Sequence, residues 1–439
     1  MKYTRNVAIN VVIANMIGTG VFTSLGYQVG SIPSWFSIMV LWTLGALISL
    51  LGAMCYAEIS TRISGSGGEY NYLSNIYSKE LGFIAGWVSF IVGFSAPLAA
   101  VALAIGSYTS SIIDIPERLI ATLIIIFVSI IHLLGIKSSS YFQNAITRLK
   151  IFLIILLILS PIFVYYFGEF NPANIKFNPL NNNQNDWQLI FSSEFAISLV
   201  YVCFSFSGWN ATVYFASKID NPQKNIPYSI IIGTIIVSFL YLLLNSIFLF
   251  AVDMDLLQGQ TDIGNVLIST IFPDSADFLS IFFGIALIAS LSSMMIAGPS
   301  VMETMGKDYR KLSFFYKKNR YDSSYISIVS LVVLPIIMLN TASFSWIVQY
   351  IGVCLSMFSI LVVLGVPILR NRNKDVNKQS NIFMAPFGRI ISIVFAIINL
   401  WMIYHLMSSD IKMILVVVLT MAFGYILYFF VKDNDEEYE

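Results

Sequence analysis

The stretch Ile17-Gly18-Thr19-Gly20-Val21 lies at the centre of one long apolar segment, and Phe206-Ser207-Gly208-Trp209 lies at the centre of another. Glycine weakens a helix, and an interrupted helix leaves backbone N–H and C=O groups without partners. At bilayer depth such groups are tolerated only where they are buried in protein or line a watery cavity. The two interruptions therefore predict a solute site in mid-membrane. The alternative is that these glycines merely let helices pack closely.

The composition places the chain in a bilayer. Of its 439 residues 57% are hydrophobic and 11% are charged, and the mean hydropathy is +0.79. Such a chain is too apolar to fold as a soluble globule. Because a spanning helix needs about 20 largely apolar residues, the sequence predicts an all-α polytopic membrane protein with twelve transmembrane helices. The predicted spans are Asn6 to Ser31, Trp35 to Ala57, Leu81 to Ser110, Leu119 to Gly135, Ala145 to Gly168, Trp187 to Ala216, Tyr228 to Val252, Asp277 to Met305, Tyr325 to Leu339, Phe344 to Leu369, Ile390 to Leu406 and Met413 to Val431.

The distribution of basic residues predicts the orientation. If the N-terminus is cytoplasmic, all but four of the 24 Lys and Arg residues fall on the cytoplasmic side. Arg118, Lys176 and Lys412 fall outside, and Lys150 lies near or within a span. Since basic residues accumulate in short cytoplasmic loops, this segregation predicts that both termini are cytoplasmic. No cleavable signal peptide is expected, because the first apolar segment continues as a full span.

The spacing of the two interruptions predicts an internal repeat. Gly18 and Gly208 lie 190 residues apart, with five spans between the starts of the two interrupted helices. An odd number of spans inverts the second unit, as in a five-plus-five inverted repeat. We therefore expect a single transmembrane domain over residues 1–439. Residues 6–168 and 187–369 would form the two repeats, and two extra helices would occupy 390–431.

The two interruptions offer complementary charges to a ligand. The Thr19 and Gly20 amides and the Thr19 hydroxyl would lie at the N-terminal end of a half-helix, which favours a carboxylate. The carbonyl groups of Phe204 and Ser207 would lie at the C-terminal end of another half-helix. Together with the Met16 carbonyl, they suit an ammonium group. A site that offers both fits a zwitterion such as a free α-amino acid.

Four motifs occur in an order that resembles the amino acid-polyamine-organocation (APC) superfamily, and within it the L-type amino acid transporters. They are Ile17-Gly18-Thr19-Gly20-Val21-Phe22; Tyr56-Ala57-Glu58 with Ser66-Gly67-Gly68-Glu69-Tyr70; Phe204-Ser205-Phe206-Ser207-Gly208-Trp209-Asn210 with Asn221-Pro222-Gln223-Lys224-Asn225-Ile226-Pro227; and Gly298-Pro299-Ser300-Val301 with Met305-Gly306-Lys307-Asp308.

This resemblance implies a LeuT-type fold with interrupted helices one and six, and alternating access. It also implies roles for individual residues, with Phe204 as an aromatic gate over the substrate. An aromatic side chain simply packed among helices is the alternative for Phe204. The predicted substrate-binding residues are Met16, Gly18, Thr19, Gly20, Val21, Phe204, Phe206, Ser207, Gly208, Trp209 and Asn210.

Lys150 is placed by the sequence at the cytoplasmic start of helix five, in a segment that resembles the one whose lysine takes the place of a sodium ion. The resemblance implies that its ammonium group bonds carbonyls of the unwound first helix and a hydroxyl such as that of Ser290. Coupling to sodium would then be unnecessary. The alternative is a lysine that extends to the inner interface.

The chain also departs from the family pattern. Ser300 stands where many relatives have arginine, and Ser217-Lys218 replaces an acidic pair, so inner-gate ion pairs cannot be transferred. We expect Glu303 to pair locally with Lys307 at i+4. The 110–118 loop has no cysteine, and Cys55, Cys203 and Cys354 all fall in predicted helices. A disulfide-linked heavy subunit is therefore not expected.

These observations predict a secondary-active transporter of neutral L-amino acids in a bacterial inner membrane, contacting lipid and its substrate. Neutral substrates are favoured because few ionisable residues lie near mid-depth. Sodium-independent exchange or uptake is favoured over a proton- or sodium-coupled permease because of the role that the resemblance implies for Lys150. No cofactor, metal or nucleic acid is expected. An enzyme would show a cluster of His, Asp, Glu or Cys at one depth, and a nutrient sensor would usually add a soluble extension. Neither alternative explains the two interruptions.

Overall fold

A computed structural model describes residues 2–110, 113–167, 184–273, 276–339, 344–372 and 382–432. Within these ranges the chain is built of helices and their connections, with one isolated bridge between Tyr3 and Ile219. The α-helices are α1 (Arg5–Met16), α2 (Gly20–Val29), α3 (Trp35–Arg62), α4 (Glu69–Ile76), α5 (Lys79–Val88), α6 (Ala96–Ser110), α7 (Glu117–Leu133), α8 (Ile136–Phe167), α9 (Gln184–Ile190), α10 (Ser193–Phe206), α11 (Ala211–Tyr214), α12 (Pro222–Ala251), α13 (Met254–Leu257), α14 (Ile263–Ile271), α15 (Ala276–Asp308), α16 (Tyr325–Met338), α17 (Phe344–Arg372), α18 (Gly388–Ser409) and α19 (Ile411–Val431).

The first predicted interruption separates α1 from α2. The backbone leaves the helical region at Ile17, where ψ is 84°. The Gly18 N–H turns back to the Met16 carbonyl at 2.9 Å. A new helix then begins at Gly20, and the Thr19 side chain makes no capping hydrogen bond to it. The chain therefore crosses this region as two half-helices.

The second predicted interruption separates α10 from α11. Helix α10 ends at Phe206, and Ser207 is extended, with ψ at 149°. Gly208 follows with φ at +99°, in the left-handed region that glycine adopts without a steric penalty. Four residues, from Ser207 to Asn210, thus lie between the two half-helices.

Helix α8 begins earlier than the sequence predicted. It starts at Ile136, whereas the predicted span starts at Ala145. Its polar first turns bond to other helices: Ser139 Oγ lies 3.0 Å from Tyr3 Oη, and Asn10 Nδ2 donates to Asn144 Oδ1 at 2.6 Å. The placement of Lys150 at the start of this helix was therefore wrong, because Lys150 lies well inside it.

A seven-residue π-helix, Ser89–Ser95, connects α5 to α6. Ser95 Oγ donates to the Phe90 carbonyl at 2.9 Å, five residues back. π-Helical turns inside α-helices occur frequently at functional sites. This one brings Gly93 and Phe94 to the central cavity.

Nine helical segments among the described residues are long and apolar enough to cross a membrane. Two of them, Arg5–Val29 and Lys79–Ser110, contain an interruption or the π-helix. Two shorter apolar helices, Ser193–Phe206 and Tyr325–Met338, accompany them. The count of twelve and the inverted repeat stay predictions. So does the orientation, since Lys176 and the 433–439 tail lie outside the described residues.

Helix packing brings the two interrupted helices to the centre. Helix α1 packs against α12, α15 and α8, and α10 packs against α2, α3, α17 and α18. Met16, Ile17 and Phe206 are among the most completely buried large side chains. The interruptions are therefore enclosed by protein, which is the condition under which free backbone groups are tolerated at membrane depth.

Candidate functional site

The two interruptions lie directly against each other. A Cβ atom added to Gly20 would lie 2.8 Å from Ser205 Cα, and one added to Gly208 would lie 3.0 Å from the Asn15 carbonyl carbon. The Oγ atoms of Ser24 and Ser205 are 2.8 Å apart. Close packing thus explains Gly20, and close packing with a positive φ explains Gly208. The alternative explanation, that glycines let helices pack closely, therefore holds for Gly20 and Gly208.

A cavity opens between the two interruptions. Its lining contains most of the residues predicted to bind substrate. These are Met16, Gly18, Thr19, Gly20, Phe204, Ser207, Gly208, Trp209 and Asn210. Phe204 is half-buried in this wall.

Two predicted binding residues lie elsewhere. Val21 is completely buried in the hydrophobic core, and the cavity lining does not include it. Phe206 is also buried, with its ring centroid 4.9 Å from that of Tyr241 and 6.2 Å from that of Trp42. Both residues sit beside an interruption in sequence, but their side chains point into helix contacts. Their role in binding substrate stays a prediction, which the lining of the cavity does not support.

Gly18 differs from the other two glycines. A Cβ atom added there would meet no atom within 4 Å, although Gly18 lines the cavity. No neighbouring helix therefore requires a glycine at this position.

The Met16 carbonyl already has protein partners. It accepts hydrogen bonds from the Gly18 N–H at 2.9 Å and from Tyr241 Oη at 2.7 Å. Tyr241 Oη also lies 2.9 Å from the Ser205 carbonyl, so this one hydroxyl reaches both interrupted helices. Sequence reasoning missed Tyr241, because a tyrosine inside an apolar span carries no signal of its partners.

Lys150 lies on the other side of the first interruption and is 1% exposed. Its Nζ donates to the Ile17 carbonyl, to Ser290 Oγ at 2.7 Å and to the Ala14 carbonyl at 3.3 Å. Ser290 Oγ in turn donates to the Ile17 carbonyl at 2.8 Å. The ammonium group therefore sits among carbonyls that the end of α1 leaves without helical partners. A lysine that extends to the inner interface would not be enclosed in this way.

The glycine-rich loop before α4 packs against α11. The Gly67 and Gly68 N–H groups donate to the carbonyls of Tyr214 and Val213 at 2.9 and 3.3 Å. Both glycines have positive φ, and a Cβ on Gly68 would lie 2.4 Å from the Tyr214 ring. Glycine is therefore needed for the contact as well as for the turn.

Glu69 follows this loop and lines the cavity. Its Oε1 accepts hydrogen bonds from Tyr56 Oη at 2.8 Å and from Asn210 Nδ2 at 2.6 Å. The sequence analysis used Glu69 only as part of a family motif and did not place it at the site. Glu69 and Asn210 are 141 residues apart in the chain, so the sequence gave no sign of the contact.

The expected pairing of Glu303 with Lys307 was wrong. Glu303 Oε2 instead forms an ion pair with Lys218 Nζ at 2.5 Å, and Lys218 also donates to Ser300 Oγ at 3.1 Å. Lys307 lies over the Tyr316 ring, 4.9 Å from its centroid. Lys218, Ser300 and Glu303, which all depart from the family pattern, are thus bonded to one another, Lys218 after α11 and the other two on α15.

Helices α17 and α18 complete the cavity wall. They contribute Gly352, Ser356, Ser359, Phe395 and Asn399. The sequence analysis placed α18 outside the repeat and gave it no part in the site. Within the described residues, no group of three or more His, Cys, Asp or Glu side chains is arranged to hold a metal ion.

These features define the class of protein. Long apolar helices make it an integral membrane protein, and two of its helices are interrupted at one central cavity, the arrangement found at the solute sites of transporters. The sequence profile described as "Amino acid permease" matches residues 7–423. The chain belongs to this family of the APC superfamily.

Several curated amino acid transporters are similar over most of the chain. The b(0,+)-type amino acid transporter 1 of Mus musculus is 24% identical over 439 residues, covering 95% of this chain and 85% of that protein. The serine/threonine exchanger SteT of Bacillus subtilis is 23% identical, covering 93% and 92%. The large neutral amino acids transporter small subunit 2 of Oryctolagus cuniculus is 26% identical, covering 56% and 46%. The family and these relatives assign the chain to amino acid transport.

Proposed function

We propose that the chain moves neutral L-amino acids across a bacterial inner membrane by alternating access, as a sodium-independent exchanger or uptake system. The observation that carries this proposal is that both interrupted helices contribute backbone to one enclosed cavity. An amino acid presents the same two charged groups whatever its side chain. Backbone groups on opposite sides of the cavity are suited to hold both.

The first interruption supplies the proposed carboxylate site. Helix α2 begins without a side-chain cap, and the Thr19 hydroxyl is therefore not used at its N-terminus. The positive end of the helix dipole and the first N–H groups favour an anion there. Gly18 leaves space beside them, because no atom lies where its Cβ would be.

The second interruption supplies the proposed amine site. The Phe204 and Ser207 carbonyls lie at the C-terminal end of α10, where partial negative charge favours a cation. The Met16 carbonyl already accepts from the Gly18 N–H and from Tyr241 Oη, which use both of its lone pairs. The Phe204 and Ser207 carbonyls are therefore the proposed acceptors for the ammonium group, and the Met16 carbonyl adds partial negative charge beside them.

The cavity wall favours uncharged side chains. Glu69 is the one residue of charged type that lines the described part of the cavity, and it lies against Tyr56 and Asn210. No lysine or arginine is present in that lining to receive an acidic substrate. Because charged groups inside a membrane need partners, we expect a panel of substrates to be led by neutral amino acids.

Sodium independence rests on Lys150. A protonated amine that donates to the Ile17 and Ala14 carbonyls neutralises the end of α1 without a metal ion. We therefore propose that Lys150 takes the place of a bound cation. We also propose that the chain works without a disulfide-linked heavy subunit, so that the purified chain alone is sufficient for transport.

The test is uptake into proteoliposomes that contain only the purified chain. A panel of labelled L-amino acids is offered in sodium or in choline buffer, with or without unlabelled substrate inside. We expect neutral amino acids to enter at equal rates in both buffers and faster into loaded vesicles. Strict dependence on sodium would contradict the role of Lys150, and uptake led by acidic amino acids would contradict the proposed substrate class.

Replacing Lys150 with alanine tests whether its ammonium group takes the place of a bound cation. Lys150→Ala removes the ammonium group from the Ala14 and Ile17 carbonyls and leaves the Ile17 carbonyl with Ser290 Oγ alone. We expect uptake in choline buffer to fall at least about fivefold, since a buried polar group that loses its partner costs about 1–3 kcal/mol. Sodium is expected to restore part of the rate by entering the vacated position. Lys137→Ala, an exposed lysine on the same helix, is the matched control and should change neither rate.

A further inference from the structure

The Glu69 carboxyl group is held in the cavity wall without a charged partner. Its residue is 4% exposed. Both hydrogen bonds go to Oε1, whereas Oε2 is buried with no partner in hydrogen-bonding geometry. An isolated carboxylate is strongly disfavoured in such surroundings, and the protonated form is much less so.

The groups that face this carboxyl are all neutral near pH 7. They are Tyr56 from α3, Asn210 and Tyr214 from the second interruption and α11, and Tyr72 from its own helix. Burial raises the pKa of the Glu69 carboxyl, and the neighbouring hydroxyl groups of Tyr214 and Tyr56 oppose this only in part.

Two other buried acids in the described part of the chain have cationic partners. Glu58 lies between Arg62 and Arg370, at 2.8 and 2.5 Å, and Glu303 pairs with Lys218. In both pairs a cation offsets the burial of the carboxylate. Glu69 has no ion pair of this kind among the described residues, so its affinity for a proton depends on water and on neutral donors.

The partners of Glu69 belong to two different elements, one of which is the second interruption. Asn210 belongs to the second interruption, where Gly208 has a positive φ, whereas Tyr56 belongs to the continuous helix α3. A transport cycle that moves α11 must change the Asn210 contact and the access of water to the carboxyl group. A group whose surroundings differ between two conformations binds protons differently in them, and by linkage the proton biases the conformational equilibrium in return.

We propose that Glu69 is a proton-binding residue of the transport cycle. It carries a proton while the cavity is closed and releases it to water when the cavity opens, so that amino acid movement is accompanied by proton movement. The step is the reversible protonation of a carboxylate by bulk solvent. This inference rests on the proposed function and adds a coupling ion to it.

Protons can be followed directly in the same proteoliposomes with a pH-sensitive dye trapped inside. Adding the neutral amino acid that gave the fastest uptake, at equal pH on both sides, should acidify the lumen. An inward gradient of one pH unit is a tenfold proton ratio, so coupling of one proton to one amino acid predicts up to about tenfold accumulation. Glu69→Gln should lose both proton effects, and any exchange of labelled for unlabelled amino acid that it retains should no longer depend on pH.

Two further variants provide controls. Glu80→Gln removes a partly exposed glutamate on α5, outside the cavity, and should leave proton movement unchanged. Glu69→Asp keeps a titratable group and should keep acidification, with a shifted pH profile of uptake. These two variants and the pH profile of uptake by the unaltered protein test the proton-binding role of Glu69 even where Glu69→Gln fails to fold.

The outcomes separate this inference from the function it rests on. Amino acid exchange without lumen acidification, at a rate that does not change between pH 5 and 8, overturns the proton role and leaves amino acid transport intact. Proton movement that survives in folded Glu69→Gln also overturns it. Absence of any amino acid exchange in the unaltered protein contradicts the proposed function itself, and the inference falls with it.

Discussion

Gly18 and Gly20 flank the same threonine, but a side chain at each position would meet different surroundings. A Cβ on Gly20 would lie 2.7 Å from Ser205 Oγ and 2.8 Å from Ser205 Cα, whereas a Cβ on Gly18 would meet nothing within 4 Å. The sequence could not distinguish them, because both are glycines beside a break. Gly20 is therefore needed for helix contact, and Gly18 leaves room in the cavity.

A methyl group at Gly18 tests the proposed carboxylate site. In Gly18→Ala the added methyl projects into free space, so the fold should be kept. If the substrate carboxylate occupies that space, the clash should cost about 1–3 kcal/mol, which corresponds to at least about a fivefold loss in uptake efficiency. Uptake kinetics and a thermal melt in detergent measure the two effects. Unchanged kinetics would remove the carboxylate from this position.

Two other glycines give the comparison. Gly284→Ala introduces only ordinary contacts of 3.6–3.8 Å to α6 and should change neither uptake nor melting. Gly20→Leu should lower the melting temperature as well as uptake, because its side chain would collide with the α10 backbone.

At the level of elements, interruptions were easier to predict than helix ends or side-chain partners. Glycine and its neighbours mark a break locally, and both breaks occur near the predicted residues. The start of α8 was misplaced because its polar residues bond across helices, Asn144 to Asn10 among them. Glu303 was misassigned for a similar reason: an i+4 pair is worth only about 0.2–0.5 kcal/mol, and a buried contact with Lys218 displaces it.

The Lys218 and Glu303 pair joins the segment after α11 to α15, and reversing its charges tests that connection. The Glu303 side chain is 4% exposed and that of Lys218 is 26% exposed. Lys218→Met leaves a buried carboxylate without a cation. Breaking a fully buried pair costs about 3–5 kcal/mol, so we expect a smaller loss here, of about 1–3 kcal/mol, seen as a lower melting temperature.

The double variant Lys218→Glu with Glu303→Lys is the informative comparison. It restores opposite charges, so it should melt higher than either single charge reversal. Lys318→Met breaks a more exposed pair with Asp322 and should have little effect, because surface pairs contribute about 0–1 kcal/mol. Additive losses in the double variant would show that the two residues do not interact.

Across the whole molecule, the cavity draws on more of the chain than the two interrupted helices. The sequence analysis located the site between those helices and treated α18 as an addition to the repeat. Phe395 and Asn399 of α18 nevertheless line the cavity, and Phe395 lies close enough to contact a Cβ on Gly52 of α3. Distant segments of this kind carry no local signal, because only tertiary packing places them at the site.

The proposed alternating access predicts that the contact between α11 and the loop before α4 opens and closes, and a disulfide there tests this prediction. Ser66 Oγ and Ser217 Oγ are 2.6 Å apart, so cysteines at these positions should fall within disulfide reach. In Ser66→Cys with Ser217→Cys, oxidation should stop amino acid exchange, and a reductant should restore it.

The native thiols do not interfere with this design. Cys55 and Cys354 are buried and Cys203 is partly buried, and all three are free. Each single cysteine variant should therefore keep its transport under oxidant, which controls for damage elsewhere. Transport that continues at full rate with the disulfide formed, as judged by thiol labelling, would mean that α11 and this loop move as one body. The opening of the cavity would then have to occur on another face of the molecule.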